Sequence, residues 1–499
     1  MVPHSQLRSR TIQGASLAFS STIGVQLLQW ATNILILRLL TPVDYGVMAS
    51  AALFTGLVGV LADSGLGRAL VQRQKLTDRD FGAVLTVSVL ISWTLFAILL
   101  VAAPRFESLL GVPKFAAVLC ASGLTVLLVP FQTLGMAWLE RELAFNTQSI
   151  IQVTTGVVQT VCVLLFALAD FGVWALVVGL LVARVTNVLL LLILGRAPVR
   201  FMCPTIETAN LVRFGWIIAA STVLWYIYAN ADSTVIALSL GPVSLGYYSV
   251  AFQLISISVD KLSGINQVAF VAFSKLQDQP ERLRNWFVRL LILRMATAWP
   301  VLVGVALVAK DAVQLVLGEK WQPIVLPLQL LAPAGGMMII GTTFSPLFNA
   351  IGRPDLGLKY TVACVAALPI SFYILAKHFG VIGICTTWLT VYPTIICGMI
   401  HLTRHVTGMG IGLLLRMSAP ILVGLAGMTV VMLWFEELTI DVAPIGRILL
   451  VCCAGVASYI ACMLLSARHT IVEDARIVVR DLRSWRVGVR QAPPRAPGH

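Results

Sequence analysis

The chain has 499 residues, 58% of them hydrophobic and only 11% charged, with a mean hydropathy of +0.91. Soluble domains carry about a quarter of their residues as charged side chains, so a soluble fold is excluded and most of this chain must sit where charge is costly. The formal net charge of +13 would suggest a nucleic-acid partner in a soluble protein; here it reads as basic loops and a basic tail facing anionic lipid.

Apolar stretches of about 18 residues or more recur along the whole length, which reads as transmembrane helices rather than the short alternating segments of a membrane β-barrel. In chain order, fourteen spans are predicted: 12–40, 46–67, 82–103, 115–138, 147–169, 172–195, 211–240, 246–273, 288–309, 323–349, 358–377, 380–400, 412–435 and 445–467. The first is too long for a secretory signal and runs straight into the second, so it is kept as a helix. Pro130, Pro300, Pro333, Pro346, Pro369 and Pro393 fall inside spans and invite kinks.

Basic loops stay on the cytoplasmic side. With Arg8 and Arg10 inside, the inner loops collect Arg68, Arg73, Lys75 and Arg79, then Arg196, Arg200 and Arg213, then Lys275, Arg282, Arg284, Arg289 and Arg294. The outer side keeps few cations, among them Arg38, Lys114, Lys320 and Arg447. Both termini are therefore expected in the cytoplasm. After the last span, Ile471, Ala475, Val478, Leu482, Trp485 and Val489 advance by four and three alternately, with arginines between them. This spacing predicts a basic amphipathic helix on the membrane surface; the alternative is a disordered basic tail, to which Pro493, Pro494 and Pro497 point.

A duplication organises the spans. Thr41-Pro42-Val43-Asp44-Tyr45-Gly46 recurs at an offset of 200 residues as Gly241-Pro242-Val243-Ser244-Leu245-Gly246. Lys75-Leu76 recurs as Lys275-Leu276, Leu110-Gly111 answers Leu317-Gly318, and Phe171-Gly172-Val173 answers Phe379-Gly380-Val381. Six spans separate the halves, so the repeats are parallel, related by an axis along the membrane normal. The expected organisation is a first lobe over 1–200, a second over 201–406, two extra spans over 407–467 and the tail 468–499. Two lobes around a central cavity are suited to alternating access.

The run Leu61-Ala62-Asp63-Ser64-Gly65-Leu66-Gly67-Arg68, with Leu245-Gly246-Tyr247-Tyr248, Phe273-Ser274-Lys275-Leu276, Leu317-Gly318-Glu319-Lys320-Trp321 and Gly352-Arg353-Pro354-Asp355, resembles the polysaccharide transporter family of the multidrug/oligosaccharidyl-lipid/polysaccharide exporter superfamily. The resemblance implies a flippase for polyprenyl-pyrophosphate-linked oligosaccharides in a bacterial inner membrane, serving exopolysaccharide or lipopolysaccharide synthesis, with a polysaccharide polymerase or export complex as a further partner. An ion-coupled multidrug antiporter of the same superfamily is the alternative. A membrane glycosyltransferase or polymerase would need a large extramembrane loop with catalytic carboxylates, and the longest loops run to about twenty residues. No phosphate loop, nucleophile elbow or cofactor motif occurs, and the nine cysteines and six histidines show no metal spacing. No enzyme activity, cofactor or metal is expected.

Ionisable residues at bilayer depth are functional candidates by default. They are Arg184 in the sixth span, Asp232 in the seventh, and Asp260 with Lys261 in the eighth. Arg184 and Lys261 suit a pyrophosphate; Asp232 and Asp260 suit a coupling ion, or a structural pairing such as Asp232 with Lys261. Gln26, Gln29 and Asn33 lie on nearly one face of the first span, where Gln29 and Asn33 either meet sugar hydroxyls or bond a neighbouring helix. Arg294, several residues inside the ninth span, is the exception among otherwise topological inner-end arginines.

Overall fold

The computed structural model describes residues 32–72, 77–142, 144–195, 200–204, 206–261, 269, 272–274, 276–277, 279–408 and 410–466. Every regular element among them is helical. Residues 32–39 form α1, followed by α2 (Pro42–Asp63), the short α3 (Leu66–Gln72), α4 (Asp78–Leu110), α5 (Phe115–Arg141), α6 (Phe145–Leu168) and α7 (Val173–Gly195). Next come α8 (Ile206–Ala229), α9 (Ala231–Ser239), α10 (Gly241–Lys261), α11 (Pro280–Leu307), α12 (Val325–Ala350), α13 (Pro354–Thr407), α14 (Ile411–Leu438) and α15 (Pro444–Ser466).

Ten helices among the described residues are long and apolar enough to cross a membrane. One of them, α13, is broken at Gly380, whose φ of 60° and ψ of −140° lie outside the helical region; its two halves follow the predicted spans 358–377 and 380–400. Most of the first span, the Gln26 and Gln29 positions and the 468–499 tail lie outside the described residues, and the count of fourteen extends beyond the ten.

Local chemistry sets where helices start and stop. Thr41 caps α2: its hydroxyl accepts from the Asp44 N–H at 3.3 Å while the Asp44 carboxylate accepts from the Thr41 N–H at 2.9 Å. Thr77 and Asp80 repeat this reciprocal box at the start of α4. At the other end of α2, Ser64 and Gly65 both take left-handed dihedrals, which stop α2 at Asp63 before α3 begins at Leu66. Aligned glycines of the two repeats share a positive φ as well. Gly111 and Gly318 have φ of 63° and 94°, and Gly172 and Gly380 have φ of 55° and 60°.

The chain divides into two compact units. The first comprises Met1–Phe252, Val316–Pro327 and Thr361–Thr387. Its apolar centre joins α2, α4, α5 and α7 through Val47, Ala51, Leu99, Phe115, Leu119 and Val177, and a second cluster seats α3 with Leu66, Leu70, Phe81, Leu85 and Leu134. Within this unit the two repeated hairpins meet. A side chain at Gly46 would overlap the Pro242 carbonyl, and one at Gly246 would overlap the Pro42 carbonyl. Reciprocal contacts of this kind are what a two-fold relation between the hairpins produces.

The second unit comprises Gln253–Leu315, Leu328–Tyr360 and Trp388–His499. Here α14 and α15 pack together and onto α11. The Tyr459 hydroxyl donates to the Ala296 carbonyl at 2.9 Å, and Arg447 bridges Asp311 at 3.4 Å and Glu436 at 3.5 Å. In lipid, where apolar burial does not drive helices together, such packing and hydrogen bonds hold the pair in place.

Candidate functional site

Arg184 lies midway along α7, half-buried, and its Nη1 donates to Gln132 Oε1 on α5. Asn187, three residues on and on the same side of the helix, is buried with no described donor to its Oδ1. A buried carbonyl without a donor costs about 1–3 kcal/mol. This face of α7 therefore combines a held guanidinium with an acceptor still in need of a polar group.

Asp232 is almost wholly buried, at 2% exposure, in the first turn of α9. The seventh span, expected as one helix over 211–240, breaks at Asn230 (φ −120°, ψ 12°) into α8 and α9. That break gives Asp232 its place at the positive end of a half-helix. Its Oδ1 accepts from the Ser233 N–H at 2.6 Å and its Oδ2 from the Tyr248 hydroxyl of α10 at 2.5 Å. Discontinuous helices of this type carry substrate and ion sites in transporters.

Asp260 and Lys261 close α10, and their side chains fall outside what is described. Gln29 lies outside the described residues altogether. Asn33 is helical and exposed. Arg184 and Asp232 thus acquire partners, Gln132 and Tyr248, that the sequence reading did not pair with them.

The second unit holds a polar group the sequence reading ranked low. Arg294 is 0% exposed, halfway along α11. Its Nη1 donates to the Thr343 hydroxyl at 2.7 Å and its Nη2 to the Thr342 hydroxyl at 3.2 Å, both on α12. Beside them the Tyr360 and Tyr392 hydroxyls share a hydrogen bond of 2.8 Å, and both would touch a side chain placed at Gly341, the residue before Thr342. The helix begins at Pro280 rather than near 288, which carries Arg294 from several residues inside the predicted span to the midpoint of the helix. Its depth in an apolar run is the signal that set it apart from the other inner-end arginines.

Among the described residues no group of three or more His, Cys, Asp or Glu could hold a metal ion.

Long apolar helices with ionisable residues held inside them define a polytopic membrane protein. The fold is similar to a structure titled "Lipid II flippase MurJ, inward closed conformation", with a TM-score of 0.71 over 91% of this chain and 99% of that one at 14% identity. It is also similar to an inward-facing multidrug resistance transporter of the MATE family, with a TM-score of 0.59 over 78% of this chain and 95% of that one at 16% identity. Residues 35–326 match the family described as polysaccharide biosynthesis protein, and the chain belongs to that family. Its relatives include the lipopolysaccharide biosynthesis protein WzxC of Escherichia coli, 26% identical over 77% of this chain and 79% of the relative. The succinoglycan biosynthesis transport protein ExoT of Rhizobium meliloti is 25% identical over 69% of each.

Proposed function

We propose that this protein flips polyprenyl-pyrophosphate-linked oligosaccharides from the cytoplasmic to the outer face of a bacterial inner membrane. Membership of the polysaccharide biosynthesis family is the observation that carries this reading. The transport role named for the succinoglycan relative favours it over a multidrug antiporter. Two six-helix lobes, 1–200 and 201–406, rock around a central cavity, with 407–467 appended and both termini cytoplasmic. The 468–499 tail lies on anionic lipid, and a polymerase or export complex receives the product.

Chemistry assigns the roles. A pyrophosphate needs fixed cations that lose little entropy on binding, and a guanidinium already oriented by an amide meets that need. Arg184, supported by Gln132, is the anion contact in the first lobe, and Lys261 is its counterpart in the second. Gln29 and Asn33 meet sugar hydroxyls. Asp232 and Asp260 bind the coupling ion or hold the cations in place while the cavity is empty. Flipping moves a cargo without making or breaking its bonds, so this reading asks for no catalytic residue.

The test is a strain lacking the gene, complemented with the parent chain or with Arg184→Ala. Complementation by the parent should restore outer-face lipid-linked units, and Arg184→Ala should restore less than a tenth as much at equal membrane abundance. Full restoration by Arg184→Ala would remove that residue from the substrate path.

A further inference from the structure

Between Gly318 and Val325 the chain makes a short 3-10 turn, Glu319–Ile324. The Val316–Pro327 segment belongs to the first unit, whereas the chain on both sides of it belongs to the second. Its seat is the end of α1. Helix C-termini leave carbonyls without helical partners and carry the negative end of the dipole. Lys320 Nζ donates to the Arg38 carbonyl at 2.6 Å and the Leu40 carbonyl at 2.7 Å, and Trp321 Nε1 donates to the Leu37 carbonyl at 2.8 Å. Arg38 Nε returns a bond to the Val316 carbonyl at 2.6 Å.

Trp321 is fully buried. Its ring stands edge-on to Tyr45, at 5.6 Å between centroids, and to Tyr247, at 6.1 Å. Tyr45 adjoins Gly46 and Tyr247 adjoins Gly246, the two glycines of the reciprocal hairpin contact. One indole therefore touches the matching hairpin of each repeat, and it keeps both contacts only while the hairpins stay together.

We propose that Lys320 and Trp321 form a latch that holds the outer ends of the repeats shut and releases each time the carrier opens outward. This rests on the alternating-access reading above. The grip suits release. It consists of donors on three side chains, Lys320, Trp321 and Arg38, rather than a continuous packed helix, and the α1 carbonyls it covers sit at a helix end where water takes over the bonds.

Ser50 reports the state of the seam. It is 1% exposed, one turn from Gly46 on the same face of α2. In the full-length chain in intact cells, Ser50→Cys is labelled from outside with a membrane-impermeant maleimide, and labelling of the chain without that substitution is subtracted. Lys320→Met, which keeps the length and deletes the donor, should speed labelling about tenfold and Trp321→Phe, which deletes one donor and keeps an aromatic ring, about threefold, in line with two lost bonds and one. Lys320→Arg, which keeps a cationic donor, should label at the parent rate. Equal labelling in Lys320→Met and the parent, at equal membrane abundance, would overturn the latch. Should Lys320→Met fail to insert, Trp321→Phe decides by the same criterion. Latch-dependent labelling in a chain whose deletion leaves lipid-linked glycans correctly placed would keep the latch and discard the cargo.

Discussion

Gly46 and Pro242 face each other across the two repeated hairpins with no room for a side chain between them, and Gly246 faces Pro42 in the same way. Hydrophobic residues outnumber every other kind in this chain, yet this junction depends on the smallest one. In a membrane, close backbone approach supplies the van der Waals contact that apolar burial does not.

Gly46→Ala should therefore destabilise the first unit by about 1–3 kcal/mol, the usual cost of overpacking. Gly246→Ala should do the same, and the double variant should depart from the sum because the two sites share one contact. Thermal unfolding of the detergent-solubilised chain measures this. Additive, near-zero effects would mean that the hairpins are not packed as described.

Tyr248→Phe removes the hydroxyl that donates to Asp232. Hydrogen bonds to charged groups are worth about 1.5–3 kcal/mol, so the unfolding temperature should fall measurably. Asp232→Asn in the Tyr248→Phe background should cost less than it does alone. Equal costs in both backgrounds would show that the two groups are not coupled.

Arg294 leans on Thr343 at 2.7 Å. Thr343→Val keeps the shape and deletes the acceptor, and it should cost about 1.5–3 kcal/mol because the partner is a buried cation. Thr343→Ser, which keeps the hydroxyl, should cost less than half of that. A Thr343→Val variant as stable as the parent would contradict the bond.

The spans were legible because lipid demands long apolar runs, and the repeat was legible because turns demand Gly and Pro at fixed places. Gly380 was read from its match with Gly172, and both adopt left-handed φ. Helix ends were less legible. Water-facing turns such as 280–287 remain helical after hydropathy has stopped reporting them, and this is what hid the central position of Arg294. The partners of Arg184 and Asp232 escaped because they sit on other helices. Lys320 reaches a carbonyl 282 residues away in sequence, and no local pattern encodes that contact. Arg184 and Asp232 stood out in the sequence for a simple reason, that few charges occur in such apolar stretches.

The appended pair makes its own prediction. Tyr459→Phe deletes the bond from α15 to the Ala296 carbonyl. Because the ring remains, the loss should be about 1 kcal/mol and export should persist. Tyr459→Ala should lower stability by about 3 kcal/mol or more through lost packing. Limited proteolysis and unfolding of the purified chain distinguish these cases, and equal behaviour of the two variants would argue that α15 does not dock through this ring.

The central claim is the movement of lipid-linked oligosaccharide across the bilayer. Its most direct measurement is the face on which intact lipid-linked units reside in cells depleted of this protein, read by a glycan-cleaving enzyme that cannot cross the membrane. Depletion should leave complete units protected inside, and resupply of the chain should bring them within reach of the enzyme. Units that remain outside and cleavable throughout depletion would contradict the account.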